Sequence, residues 1–207
     1  MPHLKSLISA ALGAFLASSS FAATEVEIIR TSGGSIKTVL SNTIAVNENS
    51  SMTREWIVVK QIDFPVKLIG TPGVKTGYSD GGRFSTAGYN YRSEFALEVS
   101  EPVVAVEIRF LTFNIWGERG VTLELTKVMD LAPGTRNFEG SWRAGSENEV
   151  SEYYASIGYV ARVRTKSGKV VETDSAPVIA EARKLYAKFA EADLEPEKPG
   201  RPEKVGK

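Results

Sequence analysis

Carboxylates are the side chains of this 207-residue chain whose type and spacing best suit chemistry. Glu94 and Glu98 alternate with apolar residues on one predicted strand, and Glu107 lies on the next. Two carboxylates hydrolyse a glycosidic bond when one is held protonated and the other ionised. Arg92 and Arg109 share those strand faces, however, and cross-strand charge pairing explains the arrangement more simply. We therefore predict paired charges here, with a carboxylate-based carbohydrate-active site as the alternative.

Histidine and cysteine are almost absent. The chain has no cysteine and one histidine, His3, which falls in a predicted leader. The mature chain therefore lacks Ser-His-Asp and Cys-His catalysis, thiol redox chemistry and the usual zinc, copper and haem ligand sets. It also has no phosphate-binding glycine loop and no D-x-D-x-D-G calcium loop. We predict a protein without cofactor or metal that is not an enzyme.

Aromatic side chains in and beside a glycine-rich segment offer a binding surface instead. Tyr78 and Phe84 lie within residues 70–88, and Trp116 precedes Gly117 at the end of a predicted strand. Aromatic rings on a loop stack on a sugar or on a partner's side chain. We predict Tyr78, Phe84 and Trp116 as binding residues for another envelope protein or for a glycan.

The first 22 residues have the three parts of a secretory signal peptide. Lys5 gives a basic start, residues 7–17 are apolar, and Ser20 and Ala22 are small residues where signal peptidase requires them. The apolar run is shorter than the ~20 residues that span a bilayer. The sequence therefore predicts cleavage after Ala22 and a periplasmic or secreted protein without a membrane span.

Charge and cysteine content narrow the setting further. The chain has 25 Lys and Arg against 25 Asp and Glu, and removal of Lys5 with the leader leaves 24 against 25, a net charge of −1. A balanced charge provides no electrostatic attraction for nucleic acid. An exported chain of this size without disulfides is typical of a bacterial envelope.

Alternating apolar and polar residues predict a mainly β protein. The clearest alternation covers residues 89–99. A second strand begins after Pro102, and its pattern changes face near Thr112, which predicts a bulge or bend there. Further short strands are predicted at residues 121–125, 135–142, 153–163 and 170–171. Short strands separated by turns, with no helices between them, favour an antiparallel β-sandwich.

Composition divides the predicted chain into five parts. They are the leader (1–22), an N-terminal β-hairpin extension (23–53), the sandwich (54–174), an amphipathic C-terminal helix (175–194) and a disordered tail (195–207). Within the extension, residues 26–30 and 36–46 are predicted strands, and 47–53 is a polar connection. Residues 70–88 are predicted to form a long loop or loose hairpin.

The predicted C-terminal helix has Ser175 as its N-cap. Its apolar stripe contains Val178, Ala182, Leu185 and Phe189. A helix this short needs tertiary contacts to persist. We expect it to pack against its own sandwich, and docking to another protein is the alternative.

Two stretches resemble the immunoglobulin-like or fibronectin-like modules of exported bacterial proteins. They are SEFALEVSEPVVAVEIRFLTFNIWGE at residues 93–118 and IGYVARVRTKSGKVVETD at 157–174. The resemblance covers less than half of the chain and implies an immunoglobulin-like β-sandwich in an extracytoplasmic setting. It carries over no catalytic residue. We therefore expect a non-enzymatic binding or interaction module, with a carbohydrate-binding or carboxylate-based protein as the alternative.

Overall fold

A computed structural model describes residues 26–30, 37–47, 50–80 and 86–196. The described chain is mainly β, with one helix between strands and another near its end. The strands are β1 (Val26–Arg30), β2 (Lys37–Ser41), β3 (Thr43–Asn47), β4 (Ser50–Thr53), β5 (Glu55–Val58), β6 (Val66–Ile69), β7 (Val74–Ser79), β8 (Gly88–Val99), β9 (Val103–Asn114), β10 (Arg119–Leu131), β11 (Gly134–Arg143), β12 (Tyr153–Thr165) and β13 (Val170–Glu172). The helices are α1 (Glu147–Glu152), α2 (Ser175–Leu185) and a 3-10 helix (Glu191–Leu194). The predicted leader and residues 197–207 of the predicted tail lie outside the described residues.

The described strands form two large sheets and one small one. The first sheet has the order β1-β2-β7-β8-β11, and β6 also pairs with β8. The second sheet has the order β10-β9-β12-β13, and β5 pairs with β12 in parallel. The strands β3 and β4 form a separate antiparallel pair. Apart from the β5–β12 pair, the described strand pairs are antiparallel, in agreement with the predicted fold class.

The two large sheets pack face to face over a shared apolar core. The ring of Phe110 on β9 lies 5.8 Å from that of Phe95 on β8 and 5.7 Å from that of Trp142 on β11. Leu97 of β8 and Ile108 of β9 are fully buried beside them. Each fully buried side chain of this size contributes about 1.5–3 kcal/mol. The apolar residues that alternate along β8 therefore form one side of the core, and apolar residues of β9 form the other.

The strand β9 is buried on both faces. Phe110 faces the first sheet, whereas Leu111 and Phe113 belong to a second apolar cluster on the side of α2. A register shift occurs opposite Thr112, at the predicted bulge or bend, and its extra residue belongs to the partner strand β10, where Gly120 and Val121 face Thr112. An apolar run without polar alternation is what a strand covered on both sides requires.

The helix α2 covers the outer face of the second sheet. Val178 and Ala182 are fully buried in the apolar cluster on that face. The helix ends at Leu185, short of the predicted residue 194, and a turn follows it. This turn places Phe189 in the cluster, with its ring 6.1 Å from that of Phe113. Burial of Phe189 against the sheet therefore accompanies the early end of the helix.

The N-cap of α2 is Asp174 and not the predicted Ser175. The Asp174 side chain accepts a hydrogen bond of 3.0 Å from the backbone N–H of Ala176. Aspartate caps a helix as well as serine does, so sequence alone did not separate the two neighbours. None of the helices in the described ranges is long and apolar enough to cross a membrane.

The predicted N-terminal hairpin is part of the first sheet, because β2 pairs with β7. The predicted strand at residues 36–46 is two strands, divided at Asn42. The predicted polar connection at residues 47–53 contains β4, and the predicted loop at residues 70–88 contains β7. These short strands carry few apolar residues, so their pairing partners rather than their own alternation define them.

Arg54 links the β3–β4 pair to the core. Its guanidinium donates to the backbone oxygens of Tyr153 at 2.9 Å, Val150 at 3.2 Å and Thr43 at 2.8 Å. Burial lowers the pKa of Arg54 to about 10. The carbonyl oxygens of three separate elements thus converge on one buried cation.

At one residue of β12, the side chain of Gln61 makes the backbone hydrogen bonds that a neighbouring strand would otherwise make. On this edge of β12, β5 pairs with residues 155–158 and β13 with residues 162–164. Val160 lies between them, and its N–H donates to Gln61 Oε1 at 3.0 Å. Gln61 Nε2 donates to the carbonyl oxygen of Val160 at 2.7 Å and also contacts Thr173 Oγ1. The side-chain amide therefore takes the place of a strand residue.

Candidate functional site

The turn between β9 and β10 holds Trp116 in a fixed position. Asn114 Oδ1 accepts hydrogen bonds from the backbone N–H groups of Trp116 at 3.0 Å and Glu118 at 2.9 Å. The N–H of Gly117 donates to the carbonyl oxygen of Asn114, and Gly117 takes a φ of 71°, which a residue with a Cβ adopts only with strain. The N–H of Ile115 donates to the carbonyl oxygen of Glu152 at 2.9 Å. The turn is therefore fastened both to itself and to α1.

The Trp116 side chain extends from this turn into solvent. Trp116 is 71% exposed and its neighbour Ile115 is 38% exposed. A well-ordered backbone that presents a large exposed aromatic ring loses little conformational entropy when the ring is covered. Tryptophan is among the residues that contribute most at protein interfaces. This turn, residues 114–118, is called the Trp116 turn below.

Tyr78 lies on β7, directly across from Tyr89 on β8. The two rings meet edge to face, with centroids 5.0 Å apart, and Tyr78 remains 40% exposed. A hydrogen bond to Glu147 of α1 raises the pKa of Tyr89. Phe84, the third predicted binding residue, lies outside the described residues.

The helix α1 stands between the two exposed aromatic positions. The hydroxyl of Tyr91 in the first sheet donates to the carbonyl oxygen of Glu149 at 3.2 Å. The carbonyl oxygen of Glu152 accepts a hydrogen bond from the N–H of Ile115 in the Trp116 turn. Tyr78 and Trp116 thus lie at the same end of the molecule, on different sheets. The helix α1 is absent from the elements predicted above, although Ser146 and Glu149 have the spacing of a helix-capping pair.

Glu107, a candidate carboxylate, is buried within an ionic cluster on the second sheet. It is 2% exposed and contacts Arg109 at 2.7 Å and Arg162 at 2.6 Å. Burial alone would lower the pKa of Arg109, but Glu107, Tyr159 and Glu195 together outweigh the effect of burial and the pKa is raised. Two guanidinium groups thus neutralise this carboxylate, as a buried charge requires.

Arg109 also fixes the end of the described chain. Its Nη1 donates to the carbonyl oxygen of Leu194 at 3.0 Å, and its guanidinium contacts the exposed carboxylate of Glu195 at 3.4 Å. A cleft of about 290 Å³ opens beside these contacts, between the second sheet and α2. Its polar groups are largely engaged with each other, as Ser175 Oγ is with Glu191 at 3.2 Å. The contacts assign a structural role to this cluster.

The other candidate carboxylates lie on the opposite side of the molecule. Glu94 on β8 contacts Arg92 at 3.4 Å on the outer face of the first sheet, and Glu98 lies across from Lys67. Packed sheets are separated by about 10 Å, and Glu107 lies on the far face of the second sheet. Glu94 and Glu107 therefore cannot act on the same bond, and each has a cationic neighbour.

Among the described residues, no group of three or more His, Cys, Asp and Glu side chains is arranged to hold a metal ion. Comparison of the chain with models of known protein families, with curated proteins and with solved structures finds no match.

Proposed function

We propose that this protein is a secreted or periplasmic, non-enzymatic β-sandwich module that binds another envelope macromolecule through the Trp116 turn. Residues 1–22, with their basic start, apolar run and small residues before the cut, support export. The absence of His and Cys after residue 22 supports a role in binding rather than catalysis.

The order of the strands supports an immunoglobulin-like or fibronectin-like module. In the immunoglobulin fold, strands B and E are neighbours in one sheet, and strands C, F and G follow each other in the other. Here β8 and β11 are neighbours in the first sheet, and β9, β12 and β13 follow each other in the second. The strands occur along the chain in the corresponding order. The Trp116 turn lies at one end of this sandwich, opposite to the end whose loops bind antigen in immunoglobulin variable domains.

The observation that carries the proposal is the exposure of Trp116 on a turn held by Asn114. The pair of exposed apolar side chains, Ile115 and Trp116, favours a protein partner over a glycan. A sugar requires convergent polar groups beside the aromatic platform, whereas an aliphatic neighbour suits an apolar side chain of a protein. Glycan binding by Tyr78 and its neighbour Tyr89 is the second candidate, because Tyr78 is also exposed.

Affinity capture with a matched variant tests the proposal. The purified protein is immobilised and exposed to envelope proteins and, separately, to envelope glycans. We expect a protein ligand whose apparent affinity falls about 30-fold in Trp116→Ala, the effect of losing an interface residue worth about 2 kcal/mol. Val128→Ala serves as the control, because Val128 is 80% exposed but lies on β10, away from the turn.

Three results would count against this function. Equal retention by the wild type and Trp116→Ala would remove the turn from the binding site. Retention of a glycan that depends on Tyr78 would favour the second candidate. Failure to retain any protein or glycan would argue against a binding module altogether.

A further inference from the structure

The two large sheets each have a long edge strand. On the second sheet, Gln61 closes the gap on β12, and one carbonyl oxygen of the thirteen-residue edge strand β10, that of Glu124, accepts a hydrogen bond from Trp142 Nε1 at 2.7 Å. On the first sheet, β11 runs for ten residues, Gly134–Arg143, along the edge. Within the described ranges, no strand pairs with β11 on the side away from β8. An edge of this length is a template for another strand.

The backbone groups that β11 offers follow from its register. The N–H of Ala144 donates to the carbonyl oxygen of Tyr89 at 2.9 Å, and the pairing of β11 with β8 continues in step from Arg143 to Gly134. In an antiparallel pair, every second residue is hydrogen-bonded to the partner and the others point away. The groups directed outward therefore belong to the exposed residues Thr135, Asn137, Glu139, Ser141 and Arg143.

We propose that two copies of this chain associate by antiparallel pairing of their β11 strands, with Ser141 opposite Ser141 of the second copy. This register places Glu139 opposite Arg143 of the second copy, twice, because the pairing is symmetric. Centring the pair on Glu139 instead would place two carboxylates opposite each other, which is unfavourable. Of these two registers, opposite charges favour the one centred on Ser141.

The side chains of Glu139 and Arg143 lie on the outer face of the first sheet, where they would meet those of the second copy. Arg92 contacts Glu139 at 3.0 Å through Oε2, which leaves Oε1 for a second cation. Arg143 donates to Thr86 Oγ1 at 2.5 Å and to the carbonyl oxygen of Ala87 at 3.2 Å, so its side chain is held at the sheet surface. Preorganised charges lose less conformational entropy on pairing.

A second copy fits this edge better than a foreign peptide does. Peptides that add to a sheet edge gain their specificity from pockets that receive alternate side chains. The outer face of β11 presents Thr135, Asn137, Glu139, Ser141 and Arg143, which are polar and exposed and form a charge pattern complementary to itself. The second copy supplies that pattern in reverse order.

Sedimentation equilibrium and light scattering over a range of protein concentrations test the proposal. We expect a reversible dimer at low ionic strength. Ser141→Pro removes an outward N–H that β8 does not use, and we expect it to raise the dimer dissociation constant at least tenfold. Thr135→Pro is the control, because Thr135 is also an outward edge residue but lies outside the paired part of the strand. It should leave the dissociation constant unchanged.

Charge exchange tests the register without relying on proline. Glu139→Arg and Arg143→Glu should each weaken the dimer, and the double variant should restore it. The melting temperature of each variant reports whether the monomer fold is intact. A protein that stays monomeric at all concentrations overturns the proposal. So does a dimer that is insensitive to Ser141→Pro, or one that charge exchange does not restore.

Discussion

Replacing Gln61 by alanine tests whether a side-chain amide can take the place of a strand residue. Val160 is fully buried, and its N–H has Gln61 Oε1 as its acceptor. Its carbonyl oxygen keeps the Thr173 hydroxyl as a donor after the substitution. Gln61→Ala therefore leaves one buried N–H without a partner and removes one donor from the carbonyl.

The expected loss follows from these two changes. An unsatisfied buried N–H costs about 1–3 kcal/mol, and a lost hydrogen bond about 1 kcal/mol. Release of the ordered glutamine side chain returns up to about 2 kcal/mol of conformational entropy. We expect the free energy of unfolding to fall by about 1–3 kcal/mol, which lowers the melting temperature by roughly 2–12 °C for a domain of this size.

Gln61→Glu makes the test specific. The glutamate keeps an acceptor for the N–H of Val160, but its ionised carboxylate faces the carbonyl oxygen in place of the amide donor. This environment favours the protonated acid, so the folded-state pKa is raised above the unfolded value of about 4.3. The variant should be close to wild type in stability near pH 4 and should lose stability as pH rises through the folded-state pKa.

Urea denaturation of wild type, Gln61→Ala and Gln61→Glu at pH 4 and pH 7 gives the comparison. The alanine variant should lose about the same free energy at both values, whereas the glutamate variant should lose it mainly at pH 7. Lys60→Ala serves as the control, because Lys60 is exposed beside Gln61. Gln61 does not have the proposed role if Gln61→Ala lowers the free energy of unfolding by less than about 0.5 kcal/mol, or if the stability of the glutamate variant relative to wild type does not depend on pH.

Two further substitutions test the core. Phe189 is 1% exposed against Phe113, and Phe189→Ala should lower the free energy of unfolding by about 3–5 kcal/mol in urea denaturation. An unchanged midpoint would show that the segment after α2 does not hold the fold. Burial raises the pKa of Tyr91 and Tyr153 above the ordinary 10.0, so the folded protein keeps protons that the unfolded chain loses. Stability should therefore fall above about pH 10, by about 1.4 kcal/mol per pH unit for each phenol. Tyr153→Phe, which removes one buried hydroxyl, should leave stability at pH 7 within about 1–2 kcal/mol and reduce the alkaline loss. An unaltered alkaline slope would contradict this assignment.

Local patterns predicted the long strands well. Residues 89–99 and 153–163 alternate because one face of each meets the core, and the structure has β8 and β12 there. The same patterns failed for β4 and β7, whose few apolar residues do not distinguish a strand from a loop. At Thr112 the apolar pattern changed because β9 is buried on both faces, and the register shift found there has its extra residue on β10.

The residues of the candidate site also fall into those that the sequence predicted and those that it did not. Residue types alone singled out Tyr78 and Trp116, and the structure describes both as exposed at one end of the molecule. Spacing did not reveal that Glu107 is buried between two arginines, since Arg162 is 55 residues away along the chain. Nor did spacing reveal that the Gln61 side chain bonds the backbone of Val160, which is 99 residues away along the chain.

The sequence by itself determined the features that do not depend on a distant part of the chain: residue types, the tight turns between the long strands and the period of alternation along those strands. These properties excluded histidine and cysteine chemistry from residues 23–207 and located the long strands of the core. The tertiary structure decided which surfaces meet, and therefore which charges are buried, which edge of a sheet remains open and where α2 ends. Those outcomes depend on contacts between residues far apart in the chain, and periodicity within one segment contains no information about the segment that will cover it.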